Sequence, residues 1–176
     1  MLRVELEAVI AHLKEFAWGE RKSLEIILIG GIAIQYYGMK DRATIDIDAE
    51  IKGNVEGLFN FLKARDIPSD IGENISGWSV IGMPEGYQER AIEIYRDEFL
   101  TIRVLLPLDF VIAKLRRFSE EDINDALFVV RRYDISPSEI KEMAEEAIKN
   151  SPKDTALFQF RRNVDIFISM IQNNST

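Results

Sequence analysis

The chain has 176 residues, 47% hydrophobic and 30% charged, which suits one ordinary globular domain or a domain with a small helical appendage and excludes a disordered chain. Thirty acidic against 22 basic residues leave a net charge of -8, a field that repels nucleic acid, so no bulk DNA binding is expected. With no cysteine and a single histidine, His12, the sequence excludes disulfides, thiolate catalysis, a cysteine–zinc site and a histidine metal cluster.

The spacing of Val4, Ala8, Ile10, Ala11 and Leu13 predicts an amphipathic helix from Arg3 to about Phe16, broken at Trp18–Lys22. Leu24 to Ile29 reads as a buried strand that ends at Gly30-Gly31, and Ile32 to Tyr37 as a short helix stopped by Gly38. Thr44 to Ile51 alternates strictly. Ile45, Ile47, Ala49 and Ile51 are expected on one face, and Thr44, Asp46, Asp48 and Glu50 on the other. Asn54 is placed to cap a helix that runs to about Arg65. Residues 68–77 read as a loop, Trp78–Ile81 as a strand and Met83–Tyr87 as a turn. Ala91–Tyr95 and Phe99–Leu105 form an expected hairpin around Arg96-Asp97-Glu98.

After Pro107 the pattern becomes helical: Leu108–Phe118, Glu120–Tyr133, Pro137–Lys149 and Thr155–Gln172, with Ser119, Ser136 and Ser151 as expected caps. Two regions follow from this change, an α/β core over residues 1–106 and a helical region over 107–176. No apolar run is long enough to span a bilayer, and the alternating start Met1–Glu7 does not read as a signal peptide, so a cytoplasmic protein without a membrane partner is expected.

The chemistry concentrates in Ile29-Gly30-Gly31-Ile32-Ala33 and Arg42-Ala43-Thr44-Ile45-Asp46-Ile47-Asp48. Alternate residues on one strand face lie about 7 Å apart, so Asp46 and Asp48 can bridge one or two hard divalent cations, Mg²⁺ or Mn²⁺. Gly30 and Gly31 let main chain approach a phosphate closely. Together these features point to a nucleoside triphosphate as partner and to transfer at its α-phosphorus.

The same residues, with Gly38 between them, resemble the glycine-pair and Asp-x-Asp motif of the DNA polymerase beta-like nucleotidyltransferases, and most of all the AbiEii-like and other small prokaryotic members associated with toxin–antitoxin systems. Leu105–Leu115 resembles the helix after their sheet, Glu121–Asp125 their acidic helix start, and Met83–Arg90 a loop of one uncharacterised branch. The similarity spans roughly residues 24–135.

The resemblance implies an α+β fold, a mixed sheet flanked by helices and followed by a helical C-terminal part. It also implies metal-dependent transfer of a nucleoside monophosphate, from ATP or another triphosphate, to a protein hydroxyl, an RNA end or a small molecule. In this reading Asp46 and Asp48 bind metal, Gly30 and Gly31 contact the triphosphate, and Arg42 and Lys114 reach phosphate or an acidic neighbour. Members of the family carry a third carboxylate on a neighbouring strand. Here the expected strand Trp78–Ile81 offers Ser79, and Glu93, between Ile92 and Ile94, is the substitute. Without a third acid, the same resemblance implies a catalytically degenerate module that binds or regulates.

Overall fold

A computed structural model describes residues 3–175; Met1, Leu2 and Thr176, at the ends of the two expected regions, lie outside it. The elements run α1 (Leu6–Glu20), β1 (Leu24–Ile29), α2 (Gly30–Tyr36), β2 (Ile47–Lys52), α3 (Val55–Lys63), β3 (Ser69–Gly72), a 3-10 turn (Ile75–Trp78) and the single-turn α4 (Tyr87–Arg90). They continue with β4 (Ile92–Arg96), β5 (Leu100–Val104), α5 (Pro107–Arg117), α6 (Glu120–Tyr133), α7 (Pro137–Lys149) and α8 (Ala156–Asn173). The fold is α+β. It divides into two compact units, residues 3–75 with 90–105, and residues 76–89 with 106–175. The change of character at Pro107 therefore falls next to a unit boundary, while residues 76–89 group with the C-terminal helices rather than with the sheet.

The first unit is built on a mixed five-stranded sheet of order β3-β2-β1-β5-β4. β1 is antiparallel to β2 and parallel to β5, β2 is parallel to β3, and β4 and β5 form the expected hairpin. Register sorts the side chains into two faces. Ile26 and Leu28 pair with Ile51 and Ala49 on one side, Leu24, Ile26 and Leu28 pair with Leu100, Ile102 and Val104 on the other, and all of these, with Ile47, are nearly inaccessible. Each fully buried Ile or Leu contributes about 1.5–3 kcal/mol, which fixes this face against the helices. α1 lies on β5, α2 on β1 and β2, and α3 on β3. The opposite face carries Glu25, Ile27, Asp48, Glu50, Glu93, Thr101 and Arg103.

Several boundaries differ from the sequence expectation. Residues 3–5 are not helical, because Val4 donates its N–H to the Thr44 carbonyl at 2.8 Å instead. α1 continues through Trp18, whose indole packs edge-on against Phe99 and donates to Asp97, and it ends where Arg21 turns left-handed. β2 begins only at Ile47, so Ile45 is 43% exposed and Thr44 is buried, the reverse of strict alternation. The expected loop 68–77 contains β3, and the expected strand Trp78–Ile81 is absent. Ser79 Oγ instead accepts the Ile81 N–H at 3.2 Å, a local bond that competes with strand pairing. Asn54 caps α3 as expected, its Oδ1 accepting from Gly57 N.

In the second unit, α5 packs on α6, α7 and α8, and α7 packs on α8. Ser119 and Ser136 close capping boxes at α6 and α7. Ser151 is not a cap; its hydroxyl donates to the Ala147 carbonyl and accepts from Gly82 N. Phe160 and Phe167 are buried, whereas Phe158 is 72% exposed. Among the described residues no helix is long and apolar enough to cross a membrane.

Candidate nucleotide and metal site

β1 delivers the chain to Gly30, whose φ of +64° lies in the left-handed region open to glycine. A Cβ built there would stand 2.1 Å from Asp48 Oδ2, so the Asp48 carboxylate occupies the space that Gly30 leaves. At Gly31 a Cβ would stand 2.7 Å from Thr44 Cβ and Oγ1. The two glycines thus admit Asp48 and Thr44 against the bend, a packing requirement that the sequence alone presents only as room for phosphate.

Asp48 is the second residue of β2 and pairs in register with Ile29, at the end of β1. Asp46 occupies a bend one residue before β2, and the Thr44 hydroxyl donates to its Oδ1 at 3.1 Å. Both aspartates are half-buried and reachable from solvent. The structure therefore brings Gly30, Gly31, Asp46 and Asp48 to one end of β1 and β2. Glu50, on the same face as Asp48, is buried and accepts the Ile75 N–H at 3.0 Å, a bond within the first unit.

Glu93 is not brought to this place. It lies on β4, separated from β2 by β1 and β5, a distance of three strand spacings or about 14 Å. Its carboxylate pairs with Arg96 at 2.6 Å, and that hydrogen bond holds its pKa below the usual glutamate value. Ser79 belongs to no strand. The carboxylate that register does place beside Asp48 is Asp70, its direct partner on β3. Neighbours in register point to the same face about 4.8 Å apart, so Asp70 shares the acidic face with Asp48. The sequence conceals it in a segment that reads as loop; the only signal is Ile71, whose register partner is the buried Ala49.

Arg42 precedes the pair, with its Nη1 donating to the Ala43 carbonyl at 2.5 Å. Lys114 belongs to the second unit and is not a surface lysine. It is 8% exposed and pairs with Asp122 at 3.2 Å and Asp125 at 3.0 Å. Burial raises the pKa of Asp122, but the Ser119 hydroxyl, Lys114, the Ser119 N–H and Arg117 outweigh it and hold the carboxyl below its ordinary value. Within its own unit Lys114 thus balances two buried carboxylates.

Two half-buried aspartates offer hard oxygen donors of the kind that Mg²⁺ and Mn²⁺ take, with water and phosphate completing the shell. That donor set fits a cation brought in with a triphosphate. It does not form a self-sufficient cage: among the described residues no three His, Asp or Glu side chains cluster to hold a metal ion.

In comparisons with known proteins, the chain is similar to an antigenic nucleotidyltransferase-like protein from Paracoccidioides brasiliensis of known crystal structure. The two are 14% identical, with 96% of this chain and 94% of that chain covered and a TM-score of 0.49. No curated protein matches. A family model described as a nucleotidyltransferase of unknown function (DUF6036) matches residues 4–169, and the chain belongs to that family.

Proposed function

We propose that this chain is a metal-dependent nucleotidyltransferase in which Asp46 and Asp48 hold the cation of a metal–nucleoside triphosphate. The observation that carries the reading is the Asp48 carboxylate lodged in the space left by Gly30, with Asp46, just before β2, accepting a hydrogen bond from the Thr44 hydroxyl. Family membership supports the general class.

In the transfer, an acceptor oxygen attacks the α-phosphorus, and the bond from that phosphorus to the oxygen bridging the β-phosphorus breaks. Pyrophosphate leaves with the electron pair, and the acceptor's proton passes to a base. A bound Mg²⁺ or Mn²⁺ supplies charge neutralisation at the phosphates. Asp46 and Asp48 would contribute oxygens to it, Gly30 and Gly31 let Asp48 and Thr44 pack against the bend, and Arg42 would supply positive charge near the phosphates. Asp70, in register with Asp48, is the favoured third acid.

The acceptor is a protein hydroxyl, an RNA end or a small molecule. A toxin–antitoxin or phage-defence setting in the cytoplasm, as for AbiEii-like proteins, rests on the motif strings quoted above. One observation favours a second reading, a module that holds nucleotide without turnover: Glu93 is engaged with Arg96 three strands from Asp48.

Equilibrium titration of each nucleoside triphosphate, with and without Mg²⁺, tests the binding. Wild type is expected to bind only with metal, and Asp46→Asn with Asp48→Asn to bind at least about 10-fold more weakly. Equal binding by both proteins removes the pair from the site. Incubation with labelled triphosphate and a lysate then separates the two readings: label transferred by wild type but not by the double variant supports catalysis, and metal-dependent binding without transfer supports the module.

A further inference from the structure

Thr44 stands where three segments of the sheet-bearing unit converge. It is 7% exposed and lies in the irregular stretch that leads into β2. Its hydroxyl donates to Asp46 Oδ1 at 3.1 Å, with the Asp46 main-chain oxygen a longer acceptor at 3.4 Å. On its other side, Thr44 Cβ and Oγ1 fill the space that a Cβ on Gly31 would claim. Its carbonyl accepts the Val4 N–H at 2.8 Å.

Gln35, buried on α2, ties down the same neighbourhood. Its Nε2 donates to the carbonyls of Val4 at 3.0 Å and Arg42 at 3.2 Å, and its Oε1 accepts from Leu6 N at 3.0 Å. The segment before Asp46 is therefore held by the glycine-bend helix on one side and by the extended residues before α1 on the other.

A threonine hydroxyl on such a segment has little freedom. The β-branched side chain is stiff at χ1, and contact with Gly31 restricts it further. The hydroxyl's shorter contact is to one carboxylate oxygen, Oδ1 of a residue assigned to the cation. From this we infer that Thr44 is a positioning residue for Asp46: it engages Oδ1, fixes the plane of the carboxylate and leaves Oδ2 to the cation that accompanies the nucleotide. The inference rests on the reading of Asp46 as a cation ligand. Its physical content is preorganisation. A carboxylate free to rotate must be ordered when the cation arrives, and groups that orient a ligand carboxylate typically change metal affinity 10–100-fold.

The test is a Mn²⁺ titration followed by electron paramagnetic resonance. It uses the full chain with a nonhydrolysable ATP analogue, at a temperature where circular dichroism shows every variant folded. Thr44→Ser keeps the hydroxyl and is expected to match wild type. Thr44→Val keeps the shape without the hydroxyl and is expected to bind Mn²⁺ about 10-fold more weakly. Thr44→Ala removes the hydroxyl without crowding Gly31, and serves if the valine variant does not fold.

Adding Thr44→Val to Asp46→Asn is expected to cost no further affinity, because the hydroxyl acts through that carboxylate. A merely structural threonine would lower the melting temperature and leave Mn²⁺ affinity unchanged. The inference is overturned if Thr44→Val binds like wild type, if Thr44→Ser is as weak as Thr44→Val, or if the double variant is weaker than Asp46→Asn alone. Failure of the functional reading looks different: wild type then shows no Mn²⁺ binding that depends on Asp46, and the role of Thr44 falls with it.

Discussion

Two aspartate pairs in this molecule receive opposite treatment. Asp122 and Asp125, three apart on α6, are 1% and 2% exposed, and Lys114 from α5 reaches both. Asp46 and Asp48, two apart at the start of β2, remain half-buried and open to solvent, with the Thr44 hydroxyl donating to Asp46 and the Asp48 carboxylate set against Gly30. A carboxylate that the chain removes from water needs a cation or hydrogen-bond donors of the chain's own, since an uncompensated buried charge costs several kcal/mol. A pair left open to solvent avoids that requirement and can take a cation from outside. The contrast separates a stabilising cluster from the pair proposed to bind a cation on physical grounds, although both are aspartates at short spacing in the sequence.

The sharpest way to break the comparison is to remove the internal cation. Lys114→Met leaves Asp122 and Asp125 buried without their lysine and is expected to lower stability by about 3–5 kcal/mol, read by urea denaturation at neutral pH. Asp46→Asn, on the open pair, is expected to change stability by no more than about 1 kcal/mol. Similar costs for the two substitutions would show that the pairs are not different in kind.

A smaller effect is expected from Gly30→Ala. The left-handed main chain costs a non-glycine residue about 1–3 kcal/mol, and the new methyl meets the Asp48 carboxylate. Thermal melts should record the loss, while metal-dependent nucleotide binding falls further than stability does. Retained binding would mean that the Asp48 position does not matter to the ligand.

The mildest expectation concerns Asp97, a carboxylate satisfied by neutral donors. Burial pushes its pKa up, but the Trp18 indole, the Tyr95 hydroxyl and the N–H groups of Phe99 and Leu100 outweigh it and hold the value at about 2. The folded pKa therefore lies below the unfolded value of about 4, so the stabilisation is complete above pH 4 and is lost as pH falls towards 2. Asp97→Asn should melt below wild type at pH 7 and converge with it near pH 2. A gap independent of pH would assign the effect to shape rather than charge.

Much of the frame was legible before any coordinates. The isoleucine run of β1, the hairpin of β4 and β5, and the serine-capped helices α6 and α7 each carry a local signal strong enough to survive in the fold. Those signals depend only on neighbours along the chain. The parts that were not legible depend on neighbours across the sheet. β3 is four residues long and contains aspartate and glycine, so its strand character comes from pairing with β2, and Asp70 becomes visible only through that register. Thr44 and Ile45 obey the alternating pattern in sequence but exchange roles in space, because Gly31 opens a place for Thr44. The glycine pair and the two aspartates were recognisable as a motif, whereas the reason for the glycines, the close approach of Asp48 and Thr44, was not.

The most direct measurement is a crystal structure of the chain with Mn²⁺ and a nonhydrolysable nucleoside triphosphate, in which anomalous scattering locates the cation. The expected result is a Mn²⁺ peak within bonding distance of oxygens from both Asp46 and Asp48, with triphosphate oxygens completing its shell beside Gly30. Nucleotide bound elsewhere, or a cation that touches neither aspartate, would contradict the assignment of this pair.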